Sequence, residues 1–248
     1  MLAQAVSIRE HSIPARDGYS LEARSYRPSS LPHQTILPVY IHFHGGGFLF
    51  GTLSSEDAIC SRIASSAGVV VVNVNYRHTP EYTYPTAWND AEDTLSWVYG
   101  HHDLIGGNIA KIVVGGVSAG GQLAAALTQT RHRSQQGSSN PAIVGQVLMI
   151  PVLVHVDCHE HQLKMLKGEN HSSYKQNENA PILPISRIRL FMDNLKVEHP
   201  DINDRKLNPG YATPLEVRGL PPTTVCAAGF DPLRDEALLY GKLLAENG

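Results

Sequence analysis

No stretch of the sequence restricts the fold more than Val69-Val70-Val71-Val72-Asn73-Val74. It is β-branched almost without interruption, and a strand lacking a polar face must be buried on both faces. Val39 to Phe43, Ile112 to Val114, Val144 to Ile150 and Thr223 to Ala228 repeat the pattern. Between and after them, Asp57 to Ser66, Ala87 to Tyr99, Gly120 to Arg131 and Asp235 to Glu246 carry the spacing of amphipathic helices. The order β, α, β, α predicts an α/β fold with a mostly parallel central sheet flanked by helices. Ser7 to Pro14 and Leu21 to Tyr26, parted by Asp17-Gly18, predict an antiparallel hairpin at one sheet edge.

The 248 residues are enough for one domain, residues 1–248, that buries roughly 70–75% of its unfolded surface. Ser134 to Asn140 reads as a polar loop. Residues from about 155 to 205 are polar, His-rich and weakly periodic, and are expected to form a solvated, cap-like insertion over the strand ends. A hydrophobic content of 42% with 17% charged residues excludes collagen-like, disordered and polytopic membrane chains. Twenty Lys and Arg against 23 Asp and Glu leave no basic footprint for nucleic acid. Arg9 and Glu10 interrupt any signal-length apolar run, and no later stretch has the length of a membrane span. Cys60, Cys158 and Cys226 lack CxxC spacing, so a disulfide framework is not expected and a cytoplasmic setting is.

Gly116-Val117-Ser118-Ala119-Gly120 follows a strand and opens a helix, which is the context a nucleophile elbow requires. Glycines two positions either side of a strained Ser let strand and helix pass closely, and the Ser hydroxyl then sits at a helix N-terminus. The plain alternative is a glycine-rich turn with a helix-capping Ser. Context comes from His44-Gly45-Gly46-Gly47-Phe48, which ends an earlier strand. Its glycine N–H groups, joined by that of Ala119, can stabilise the oxyanion formed when Ser118 attacks an acyl carbonyl. The loop lacks the Lys and Ser/Thr of a phosphate-binding loop. A valine at Gly46 is expected to crowd the oxyanion site while leaving the fold recognisable.

These motifs resemble the hormone-sensitive-lipase-like branch of the α/β-hydrolases. His44-Gly45-Gly46-Gly47 is similar to its oxyanion signature and Gly116 to Gly121 to its elbow. Tyr76-Arg77-His78-Thr79-Pro80-Glu81, with Tyr84-Pro85, resembles the block between them, and Asp231-Pro232-Leu233-Arg234-Asp235-Glu236 the acid motif. The resemblance implies an α/β-hydrolase fold and hydrolysis of a small acyl ester without metal or organic cofactor. It implies Ser118 as nucleophile, Asp231 as the orienting acid, and Gly45, Gly46, Gly47 and Ala119 as the oxyanion hole.

Val117 stands where the family usually has Asp, which touches only local polarity. The family's triad His follows the acid motif by one strand and one loop, and this sequence has no His beyond His199. The final strand and that His are therefore expected to be missing, the cap to be reduced, and ester hydrolysis by these residues alone to be weak. The open edge at Thr223 to Ala228 is expected to favour association with a second copy. His155, Asp157, Cys158, His159 and His161 have no established metal-ligand spacing. His44 reads as a structural residue of its loop, and His78, His101 and His102 have no motif. A non-catalytic ligand-binding module and an acyltransferase on the same fold remain as alternatives.

Overall fold

The computed structural model describes residues 5–134 and 140–247, so most of the loop expected at Ser134 to Asn140 lies outside the described residues. The chain runs β1 (Val6–Pro14), β2 (Ser20–Pro28), β3 (Leu37–Phe43), α1 (Leu53–Ala67), β4 (Val70–Val74), α2 (Thr86–Ile105), β5 (Gly107–Val117), α3 (Ala119–Arg133) and β6 (Ile143–Met149). It continues with short helices α4 (Glu160–Leu163) and α5 (Ser173–Gln176), then α6 (Ile185–Asn194), α7 (Pro214–Val217), β7 (Thr223–Cys226) and α8 (Arg234–Asn247). The strands form one 7-stranded sheet in the order β1-β2-β4-β3-β5-β6-β7. β1 and β2 make the expected hairpin, β2 runs antiparallel to β4, and every other pairing is parallel.

β4 is buried at every position because both faces of the sheet are covered. Val70, Val72 and Val74 join Trp88, Leu95 and Val98 of α2 and Leu123 of α3 in the main core. Val71 points the other way and packs with Tyr26, Tyr40, Cys60 and Ala64 beneath α1. This is the period of two that alternate strand residues require. Among the described residues no helix is long and apolar enough to cross a membrane.

Element ends differ from the sequence reading where capping or pairing decides them. α1 begins at Leu53 rather than Asp57 because Thr52 and Ser55 form a capping box: Thr52 Oγ1 accepts from Ser55 N–H at 3.2 Å and Ser55 Oγ from Thr52 N–H at 3.1 Å. α2 runs on to Ile105, where Gly106 at φ 66° terminates it. β5 starts at Gly107, and its pairing with β3 slips at Pro38/Val39, so only its regular second half carries a strand pattern. β7 ends at Cys226; Ala227 and Ala228 leave the ladder.

Within the segment from 155 to 205, residues 175–183, Arg187 and Phe191 share a cavity with Val117, Ser118 and Ile150, and the segment is neither structureless nor uniformly solvated. α6 is amphipathic, with Ile188, Phe191 and Met192 buried. His155, Cys158 and His159 are buried, and His159 stacks on Tyr174 with ring centroids 3.6 Å apart. Tyr211 Oη donates to the carbonyl of Cys158 at 2.8 Å. The His-rich composition therefore reflects internal packing of this segment at these positions. Among the described residues no three His, Cys, Asp or Glu side chains converge as a metal site.

Candidate active site

Ser118 sits between β5 and α3 with φ 54° and ψ −115°, a left-handed conformation that a non-glycine residue rarely adopts. It makes no side-chain capping hydrogen bond, which removes the helix-cap explanation for a Ser at this turn. The turn is possible because of its two flanking glycines. A Cβ on Gly116 would lie 2.4 Å from the Gly120 carbonyl, and one on Gly120 would lie 2.1 Å from the Phe43 oxygen and 2.5 Å from the His44 oxygen. Both contacts are to backbone, so no side chain can move aside to relieve them. Strain concentrates here: among the described residues, non-glycine positions with positive φ include Phe48 at the end of the glycine loop, Ser118 itself and Ile150 on the cavity wall.

The glycine loop is held from below. Tyr76 Oη donates to the His44 carbonyl at 2.9 Å, and its ring stacks on the His44 imidazole at 4.3 Å. His44 Nδ1 lies 2.7 Å from the Gly45 carbonyl, so Nδ1 carries the proton. Nε2 of the neutral ring then accepts from His78 Nε2 at 3.4 Å. Burial pushes the His44 pKa down to about 4, which makes this ring a fixed neutral bracket at ordinary pH. Thr79 N–H donates to the Phe48 carbonyl at 2.8 Å, and Arg77 grips the buried carboxylate of Asp90, Nη2 to Oδ1 at 2.6 Å. The Tyr76 to Thr79 block is thus a brace for the loop above it. Among the described residues the N–H groups of Gly46, Gly47 and Ala119 have no acceptor. The expectation for valine at Gly46 changes: with φ 124°, a Cβ there would lie 2.0 Å from the Phe50 carbonyl oxygen, so the substitution breaks the loop rather than merely crowding it.

Asp231 lies in the turn between β7 and α8 and is 8% exposed. Its Oδ1 accepts from Leu233 N–H at 2.9 Å, while its own carbonyl accepts from Asn177 Nδ2 at 3.1 Å. Burial raises the Asp231 pKa, partly offset by the Leu233 N–H. The cap-like segment fastens this turn. Asp235 accepts from Ser173 N–H at 2.6 Å, and Glu236 Oε1 from Tyr174 Oη at 2.9 Å. Glu236 Oε2 also takes Leu153 N–H at 2.7 Å, and burial lifts the carboxyl to about 8.

Ser118, Asp231, Gly45, Gly46 and Gly47 border one cavity of about 860 Å³, with Val117, Ile150, Phe191 and Phe230 as its apolar walls. Ala119, directly after Ser118, is fully buried at the start of α3. The polar residues 175–179, the apolar residues 180–183 and Arg187 close one side. Sequence reasoning missed Asn177 and Phe191 as site residues; the spacing of Ile185, Ile188 and Met192 is the signal that could have found α6. Among the described residues no histidine borders the cavity. His101 and His102 are placed elsewhere, donating from Nδ1 to the carbonyls of Trp97 and Tyr99 on α2.

A parallel sheet that presents a strained Ser at a strand-to-helix turn, next to a glycine loop with free N–H groups, has the architecture of an α/β-hydrolase. Residues 40–248 match the family model described as alpha/beta hydrolase fold, and the chain belongs to that family, in keeping with its hormone-sensitive-lipase-like motifs. It is 37% identical over 229 residues to Esterase LipI of Mycobacterium tuberculosis, covering 91% of this chain and 65% of that protein. It is 32% identical over 214 residues to Carboxylesterase NlhH of the same species, covering 86% of this chain and 62% of that protein. The chain thus spans less than two thirds of the length of these relatives. A thermostable esterase from Pseudomonas putida ECU1011 superimposes with a TM-score of 0.85 at 29% identity, covering 100% of this chain and 72% of that one.

Proposed function

We propose that this chain carries the nucleophile, acid and oxyanion hole of a carboxylic ester hydrolase. Ser118 attacks the acyl carbonyl, and the N–H groups of Gly46, Gly47 and Ala119 receive the developing oxyanion, with Gly45 shaping the loop. Asp231 orients the imidazole that completes the set. The observation that carries this reading is the strained, uncapped Ser118 on the wall of an apolar cavity beside unengaged N–H donors. The substrate is a small acyl ester, as the printed names of the related esterases suggest. No cofactor enters the mechanism. The free thiols of Cys60, Cys158 and Cys226 suit a cytoplasmic setting.

Among the described residues no imidazole lines the cavity, so hydrolysis by residues 1–248 by themselves is expected to fall toward the residual of about 10³–10⁴-fold over water left when a triad is incomplete. The same observation favours a second reading, a ligand-binding module using the same cleft. The outer edge of β7 has no strand beside it among the described residues and offers backbone groups to a second copy. The test is turnover of p-nitrophenyl acetate and butyrate by a chain extended through the next strand and by its Ser118→Ala variant. Loss of turnover in Ser118→Ala supports the hydrolase. Equal turnover removes Ser118 from the chemistry, and saturable ester binding without turnover favours the binding module.

A further inference from the structure

Helix α6 of the cap-like segment touches the oxyanion loop directly. Gly47 has φ 64°, and a Cβ built on it would lie 2.2 Å from Cδ2, 2.4 Å from Cγ and 2.5 Å from Cε2 of Phe191. The phenyl ring therefore occupies the space a side chain at Gly47 would need, in contact with its Cα. Phe191 is 8% exposed, and its ring meets that of Phe50 at 6.1 Å with the planes 79° apart. Phe50 in turn donates its N–H to the Gly46 carbonyl at 3.0 Å. The helix bearing the ring is itself fixed: Ile188 and Met192 are in the main core, and the Leu195 carbonyl just after it accepts from Tyr84 N–H at 3.1 Å.

A glycine whose N–H has no acceptor is the freest backbone position a loop can contain. Bracing from Tyr76, His78 and Thr79 reaches His44 and Phe48, on either side of the glycines, but none of it reaches Gly47. We propose that Phe191 is a positioning residue, whose ring on Gly47 confines the loop and keeps the Gly46 and Gly47 N–H donors preorganised for the oxyanion. The inference rests on the ester-hydrolase reading. Preorganised donors act only if they are in place before charge develops, so freedom at Gly47 lowers kcat rather than raising KM.

The test combines kcat and KM for p-nitrophenyl acetate and butyrate with the rate of fluorophosphonate labelling at Ser118, each per folded molecule of a chain extended through the next strand. Phe191→Ala is expected to lower kcat and the labelling rate by about tenfold for both esters, with KM nearly unchanged. Phe191→Tyr, which keeps the ring, should retain the parental rate. Gly47→Ala collides with the ring, so its loss should be smaller in the Phe191→Ala background than in the parent; this non-additivity reports direct contact. A change confined to KM or to acyl-length preference would make Phe191 a cavity wall only and overturn the proposal. So would a lower melting temperature with kcat per labelled site intact. Retained turnover in Ser118→Ala would instead overturn the hydrolase reading, so the two failures are distinguishable.

Discussion

Replacing Gly120 by alanine separates the mechanical role of the elbow from ordinary helix propensity. Gly120 lies in the first turn of α3, where a Cβ would stand 2.1 Å from the Phe43 oxygen, 2.5 Å from the Phe43 carbonyl carbon and 2.5 Å from the His44 oxygen. All three atoms are backbone of the strand and loop that carry the oxyanion donors, so α3 must retreat from β3 by roughly 1 Å to restore normal contact. Propensity alone would favour alanine by at most about 1 kcal/mol. Overpacking against backbone costs about 3 kcal/mol, so the net change is a loss of about 2 kcal/mol. A displacement of that size also separates Ser118 and Ala119 from Gly46 and Gly47, which predicts a fall in phosphonate labelling of about 10²-fold. Gly100 of α2 is the internal control, because nothing lies within 4 Å of its Cβ position. Gly100→Ala should stabilise by about 0.5–1 kcal/mol and leave labelling untouched. Urea unfolding, and labelling rates in a chain extended through the next strand, measure both variants. If Gly120→Ala is as stable and as reactive as Gly100→Ala, the close approach of α3 to β3 is not what shapes the elbow.

Glu236, with its pKa lifted to about 8 by burial, binds a proton in the folded chain that it releases in the unfolded chain near 4.5. Its contribution therefore favours folding at low pH and declines as pH rises from about 4.5 to about 8, and Glu236→Gln should flatten this part of a urea-unfolding pH profile. Removing one member of the buried pair Arg77–Asp90, with Asp90 fully buried, should cost about 3 kcal/mol in Asp90→Asn, read from denaturant midpoints. Asp17 meets the same guanidinium from a solvent-exposed position, so Asp17→Asn should move the denaturant midpoint far less than Asp90→Asn. Gly46→Val should lose stability and labelling together, since its Cβ would strike the Phe50 carbonyl.

The parts of the site legible in the sequence are those made by local backbone geometry. A strand, a glycine-flanked Ser and a helix occupy adjacent positions, and so do the residues His44 to Phe48, so their composition records what the turn requires. Val69 to Val74 was legible for a similar reason, its burial on two faces being written into one continuous run. What could not be read depends on distant partners. The ring of Phe191 meets Gly47, and Asn177 meets the carbonyl of Asp231, across separations that no local period encodes. α6 itself was hidden because Ser186, Arg187 and Arg189 dilute its apolar stripe and Pro181 and Pro184 precede it. The burial of His155 and His159 was misread because composition reports polarity and not the packing that sequesters it, such as the Tyr174 ring over His159. Helix starts went astray where Thr52 and Ser55, weak helix formers, act as a cap.

The central claim, that Ser118 is the nucleophile of an assembled oxyanion site, is tested most directly by treating a folded chain extended through the next strand with a fluorophosphonate probe and mapping the modified residue by peptide mass analysis. The account predicts phosphonylation at Ser118, lost in Ser118→Ala and slowed in Gly120→Ala. Modification of another serine with Ser118 untouched, or an unchanged rate in Ser118→Ala, would contradict it.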